Sequence, residues 1–280
     1  MDVTAARRNI MMDLGVWADR TPMHEAASLG RPVLLKQLID RGCPINIVTV
    51  DNTTPLHDAC WYGNSNCVRL LLQAGAQVEV RNIHGSTALC HACAAGSLMC
   101  VSLLLEHGAQ INPTLTANTA TPLHEACSRG NSECVKLLIS KGALLERYDV
   151  HTGTPLHVAC AKGHTQCARE MLNAGAKVNA INFHNTALHH AAQVGSADLI
   201  ELLVEFGGDI NASDNMNKRP LDYTSLESQA RVSLLHYHNC PLSLQQICRI
   251  RVRRILGTKA LKVLPQLNLC QLILNYLCYD

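Results

Sequence analysis

The chain has 280 residues, long enough that a length prior alone allows about two domains. Apolar residues make up 48%, aromatics 4%, and the formal charge is +2. So small a charge gives no long-range attraction to nucleic acid or an anionic membrane, and so few aromatics argue against a base-stacking surface. No apolar run reaches the roughly 18 residues a membrane helix needs, and residues 1–20 are broken by Arg7, Arg8 and Asp13, unlike a signal-peptide core. These features point to a cytoplasmic protein, with nuclear residence left open, whose fourteen cysteines are small buried thiols in a reducing compartment.

Self-similarity begins at Thr21. Thr-Pro-Met-His at Thr21 to His24 returns as Thr-Pro-Leu-His starting at Thr54, Thr121 and Thr154. Looser copies start at Thr87 and Thr186, and a remnant starts at Arg219. Successive starts are separated by 33, 33, 34, 33, 32 and 33 residues. This period and this signature are those of ankyrin repeats. Nine residues after each start stands Gly30, Gly63, Gly96, Gly130, Gly163 or Gly195; twenty-one after it stands Gly42, Gly75, Gly108, Gly142, Gly175 or Gly207.

Each position has a physical reason. Thr caps a first helix and Pro suits its first turn. Ala26, Ala59, Ala92, Ala126, Ala159 and Ala191 let paired helices approach, and the glycines end them. Segments such as 46–53 and 79–86 become projecting fingers. One unit cannot bury its own apolar face, so stability must come from stacking neighbours. The expected organisation is an N-terminal extension (1–20), then repeats at 21–53, 54–86, 87–120, 121–153, 154–185 and 186–218. A partial capping repeat (219–238) and a distinct C-terminal segment (239–280) follow. The extra residue in the third repeat alters the finger at 113–120, either as a local adaptation to a partner or through loop-length drift, the plainer of the two explanations.

The pairs His57/Cys60, His124/Cys127 and His157/Cys160 look at first like metal ligands. They recur one pair per repeat, so they do not converge on the four-ligand site zinc requires. The histidine lies one turn past its cap, where its ring can bond backbone between fingers. Cys60, Cys93, Cys127 and Cys160 share one place on the first helix, and Cys67, Cys100, Cys134 and Cys167 one place on the second. That is a packing pattern. Cys90-His91-Ala92-Cys93 lacks a second cysteine pair, and no unique Cys/His/Asp set suggests a nucleophile. The chain is expected to have no catalytic residue, metal or cofactor. Trp61 and Tyr62, at variable first-helix positions, and Tyr148 and Phe183, in fingers, are the candidate protein-binding residues, since exposed aromatics often anchor interfaces. Packing of Trp61 and Tyr62 against Val16-Trp17 is the alternative.

After Pro241 the repeat stops. Ser243 can cap a helix on which Leu244, Cys248, Val252 and Ile255, spaced 4, 4 and 3, form one apolar face, with Gln245, Arg249 and Arg253 opposite. Such a helix either enters a partner's groove or closes the end of the stack; periodicity alone does not separate the two. Arg249, Arg251, Arg253 and Arg254 read as a solvated face or a contact for acidic partner residues.

Ser243-Leu244-x3-Cys248-x3-Val252 resembles the elongin-binding motif of SOCS-box proteins, and Leu267-x-Leu269 with Ile273-x-x-Tyr276-Leu277 resembles their cullin-contacting half. From end to end the chain resembles the ankyrin-repeat and SOCS-box family. The resemblance implies an all-α fold: an ankyrin solenoid of six units and a capping remnant, then a small three-helix SOCS box. It implies a non-catalytic substrate receptor of a ubiquitin ligase, with Leu244, Cys248 and Val252 on elongin C and, through it, elongin B. Cullin 5 with its RING subunit would meet Leu269, Ile273, Tyr276 and Leu277, and the repeats would hold a protein substrate that the sequence does not name. The family's proline in the cullin half is absent: Leu269 precedes Cys270, and Leu264-Pro265 lies five residues early.

Overall fold

The computed structural model describes residues 19–114, 120–183, 185–240, 242–267 and 269–278. The Val16-Trp17 packing and most of the 113–120 finger lie outside them. The chain forms two compact units, residues 1–122 and 123–280.

In the first unit the helices come in pairs: α1 (Pro22–Ser28) with α2 (Pro32–Asp40), α3 (Pro55–Trp61) with α4 (Ser65–Gln73), and α5 (Ala88–Ala95) with α6 (Leu98–Glu106). First helices stack on first helices and second on second. Leu35, Leu56, Leu71, Leu89 and Leu104 are wholly buried between them. Each fully buried leucine contributes about 1.5–3 kcal/mol, and none could be buried within a single pair.

The second unit continues with α7 (Pro122–Arg129), α8 (Ser132–Ser140), α9 (Pro155–Ala161) and α10 (Thr165–Asn173). Two short strands, β1 (Ile181–Asn182) and β2 (Asn185–Thr186), pair antiparallel in a finger ahead of α11 (Ala187–Val194) and α12 (Ala197–Glu205). The remnant forms a 3-10 turn at Pro220–Tyr223 and α13 (Gln229–Asn239), which packs on α12. The C-terminal segment follows as α14 (Leu244–Leu256), α15 (Ala260–Val263) and α16 (Gln271–Cys278).

The recurring histidine is a polar staple. Thr54 N–H donates to His57 Nδ1 at 3.2 Å, the Thr54 hydroxyl lies 2.8 Å from the same nitrogen, and Nε2 reaches Ser86 O in the next finger at 3.2 Å. The second unit repeats this with His157 Nε2 and Ala180 O at 3.0 Å and His189 Nε2 and Lys218 O at 3.3 Å. A ring that accepts at Nδ1 and donates at Nε2 is neutral. Burial, reinforced by a neighbouring histidine, lowers both His57 and His157 to about 4. In the third repeat Cys90 takes the histidine's place, with its Sγ 3.9 Å from Ala120 O. The repeat cysteines Cys60, Cys127 and Cys160 are fully buried, and burial holds their thiols protonated, Cys160 up to about 12.

Candidate functional site: the C-terminal box and the repeat surfaces

Helix α14 starts where Ser243 and Gln246 cap each other: Gln246 N–H donates to Ser243 Oγ, and Ser243 N–H donates to Gln246 Oε1 at 2.8 Å. One turn of helix then separates Leu244 from Cys248. Leu244 is 75% exposed and Cys248 is also exposed. Val252 is half-buried and packs on the box's own core of Ala260, Leu264 and Leu277, while Ile255 is exposed. The first two turns therefore present an uncovered apolar edge, and the later turns anchor the helix.

The opposite face corrects the sequence reading. Arg249 and Arg253 are 8% and 6% exposed and do not form a solvated basic face. Arg253 Nη1 donates to Leu277 O at 3.0 Å, and Nη2 donates to Leu172 O at 3.3 Å and to Asn173 O. Leu172 and Asn173 end α10, where orphan carbonyls and the negative end of the helix dipole favour a cation. Its guanidinium also lies 5.5 Å from the centre of the Phe206 ring, and that of Arg249 lies 4.5 Å over Tyr276. The Arg253 guanidinium can be buried because both its Nη atoms find fixed carbonyl acceptors. No signal local to the helix reveals this, since the accepting carbonyls lie 80 and 81 residues away in sequence.

Glycines complete the seat. A Cβ on Gly175 would stand 2.2 Å from Gly257 O, and one on Gly207 would stand 2.7 Å from Ile250 Cγ2. At Gly142, the same place in an earlier repeat, it would meet nothing within 4 Å. The box thus rests on the ends of the second helices of the fifth and sixth repeats, through the Gly257–Thr258 backbone at the fifth and the Ile250 side chain at the sixth.

In the half expected to face a cullin, Leu269 and Ile273 are exposed, Tyr276 is half-buried beneath Arg249, and Leu277 lies in the box core. On the first unit, Trp61 and Tyr62 are exposed at the rim of an open pocket of about 480 Å³ that Asp19, Arg20, Asp51 and Asp58 also line. Trp61 is held edge-on by His91, centroids 5.2 Å apart. Asp58, which the sequence reading missed, is buried and ion-paired with Arg20; burial pushes its carboxyl up to about 6 against the pull of that arginine. On the second unit Tyr148 and Phe183 are exposed on successive fingers, and Tyr148 donates to Asn182 Oδ1 at 2.8 Å.

Comparison with known proteins agrees with this arrangement. Ankyrin-repeat family models match residues 5–82, 79–149 and 143–214, and a SOCS-box model matches residues 240–278. Ankyrin repeat and SOCS box protein 13 from Mus musculus is 66% identical over 268 residues, covering 96% of each chain. The Homo sapiens protein of that name is 63% identical over 280 residues and the full length of both. The crystal structure of the human ASB11 ankyrin repeat domain superposes with a TM-score of 0.76 at 36% identity, over 80% of this chain and all of that one. On these matches, this chain belongs to the ankyrin repeat and SOCS box protein family.

Proposed function

We propose that this chain is the substrate receptor of an elongin B/C–cullin–RING ubiquitin ligase, with cullin 5 as the cullin. The observation that carries the reading is the uncovered first half of α14: Leu244 and Cys248 stand one turn apart and exposed, while Arg249, Val252 and Arg253 commit the helix to the fold. Leaving such a leucine in water forfeits about 1.5–3 kcal/mol, which a groove on elongin C would recover. Leu244 would be the anchor, with Cys248 beside it and Val252 behind. Leu269 and Ile273 would meet the cullin, supported by Tyr276 and Leu277 beneath them. The repeats would hold the target through surfaces that include Trp61, Tyr62, Tyr148 and Phe183.

The mechanism is proximity. Holding target and ligase on one chain turns ubiquitin transfer into a local encounter at high effective concentration, while the covalent chemistry belongs to other subunits. The proposed site of action is the cytoplasm. The rival reading, a repeat scaffold whose box only caps the stack, draws on the seating of Arg253 against α10. It offers no role for the exposed Leu244.

Purified chain should capture recombinant elongin B/C in a stable complex, and Leu244→Ala/Cys248→Ala should lose that capture with its circular dichroism and melting unchanged. Equal capture by a folded double variant, or none by the parent, would return the box to the role of a cap.

A further inference from the structure

The fingers of the second unit end in apolar side chains that the fold does not use. Three hairpins carry them: Asp149 bridges to Gly153, Ile181 pairs with Thr186, and Asp214 N–H donates to Lys218 O. At their tips Val150 is 54% exposed, Phe183 62% and Met216 69%. Tyr148 and Ile181 add exposed apolar surface to the first two. Single exposed apolar residues are ordinary on any protein, but a series on consecutive repeats is the kind of patch that marks an interaction surface. Within the first unit the tip residues Val50 and Ile83 follow the same habit.

Phe183 adds a second, independent sign. Its φ is +44°, a region that bulky side chains avoid. Among the described residues the other non-glycine positions with positive φ are Asn52 and Asn217, a residue type that tolerates it. Phe183 therefore combines a strained backbone with a ring in water. The two-residue turn between Asn182 and Asn185 calls for that φ, which glycine or asparagine would adopt without strain; a phenylalanine there with its ring exposed is a residue choice the turn does not need, and it points to use in binding.

Spacing and charge describe the occupant. Packed helices stand about 8–10 Å apart, so successive tips recur at about that interval. Along a strand, side chains on one face recur at about 6.6 and 13 Å, which misses it. Along a helix, residues seven apart are about 10.5 Å apart on one face, and projecting knobs fit the holes between their neighbours. A polyproline segment repeats at about 9.3 Å but is read by aromatic-lined grooves, whereas these tips project. The tip carboxylates are turned inward: Asp149 Oδ1 accepts from His151 and Thr152 N–H, and Asp214 Oδ1 from Met216 and Lys218 N–H. The exposed charges beside the third tip are Lys218, Arg219 and Asp222, whose carboxylate accepts from Arg219 N–H at 2.8 Å, so the balance there is basic by one charge.

We propose that the ridge of Val150, Phe183 and Met216 docks an amphipathic helix of the substrate, with apolar residues at every seventh position and carboxylates at the end that lies over the third tip. Calling the occupant a substrate rests on the receptor reading; the docking chemistry does not.

The test pans a displayed library of random 21-residue peptides on the full chain bound to elongin B/C, then measures an enriched peptide by fluorescence anisotropy. Enrichment of heptad-spaced apolar residues with an acidic end is expected, with binding at least tenfold weaker to both Phe183→Gly and Met216→Ser. Phe183→Gly should melt no lower than the parent, because glycine relieves the backbone; a purely structural Phe183 would melt lower. No enrichment, enrichment without the seven-residue period or with basic ends, or equal binding by both variants would overturn the proposal. Leu244→Ala should keep the peptide and lose elongin. Peptide binding without elongin capture by the parent would sink the receptor reading and leave the ridge standing; capture without peptide binding would sink the ridge alone.

Discussion

Replacing Gly175 with alanine, beside Gly142→Ala as its control, measures what the contact between box and repeats contributes. The two glycines hold the same repeat position and nearly the same backbone, with φ of +92° and +93°. Either alanine should cost the left-handed conformation, about 1–2 kcal/mol. At Gly142 the cost ends there, since its new Cβ meets nothing within 4 Å. At Gly175 the Cβ would stand 2.2 Å from Gly257 O, 2.4 Å from its carbonyl carbon and 2.7 Å from Thr258 N. All three are backbone atoms, so no flexible side chain can yield and the box must lift by roughly 1 Å. Lifting it draws Arg253 away from Leu172 O and Asn173 O. Hydrogen bonds from a charged donor contribute about 1.5–3 kcal/mol each; a lift of this size weakens both without abolishing them, so the box should lose about 2–4 kcal/mol beyond the control. Hydrogen exchange read by mass spectrometry on peptides from α14 and α16 is the assay. At about 1.4 kcal/mol per tenfold, exchange there should quicken by roughly thirty- to several-hundredfold in Gly175→Ala and stay unchanged in Gly142→Ala. Equal exchange in the two variants would refute the seating argument.

Three further outcomes follow from the same geometry. Because His57 and His157 are held near 4 in the fold, their stabilisation is whole above the ordinary value of 6.5 and is lost as pH falls toward 4. Between pH 6.5 and 5 each should remove about 2 kcal/mol, offset by about 1 kcal/mol from Asp58, whose raised value acts in the opposite sense; melting temperatures at pH 7, 6 and 5 should fall, and a flat series would contradict the neutral staples. Arg253→Lys keeps the charge but cannot span Leu277 O and the end of α10 together, so box peptides should become protease-sensitive while the repeat helices keep their protection. Cys160→Ser should lower urea-unfolding stability by about 1–3 kcal/mol by burying a hydroxyl without a fixed partner, and Cys160→Ala should cost less.

The repeats were legible because each of their determinants is local. Threonine caps, the histidine three residues on, the paired leucines and the terminal glycines act within a turn or two of their own positions, so a period of 33 exposes them. The exposed edge of α14 was legible for the same reason, since Leu244 and Cys248 depend only on helical spacing. The seat of the box was not. A helical wheel assigns Arg249 and Arg253 to the polar side, and nothing near them in sequence announces the Tyr276 ring or the carbonyls of α10. Leu277 reads as a partner contact in a motif and sits in the box core because Ala260 and Leu264 close over it. The left-handed backbone of Phe183 is equally silent in sequence.

The two faces of α14 explain each other. A helix that offers leucine to a partner cannot also use that leucine to hold itself in place, so the anchoring must come from the other side. An apolar face there would compete for the same groove and invite the wrong docking. Two arginines avoid this: their partners are specific carbonyls and rings at fixed positions, and an unpaired guanidinium is costly to bury anywhere else. The helix therefore has one arrangement that satisfies Arg249 and Arg253, and in that arrangement Leu244 and Cys248 face outward. The bound orientation is then fixed before any partner arrives, which lowers the ordering cost of association. Arg253→Lys should therefore slow elongin capture even though residue 253 lies about one and a half turns beyond Cys248 and on the opposite side of the helix. Unchanged capture kinetics in that variant would mean the box orders itself on the partner, and the seat would then serve stability alone.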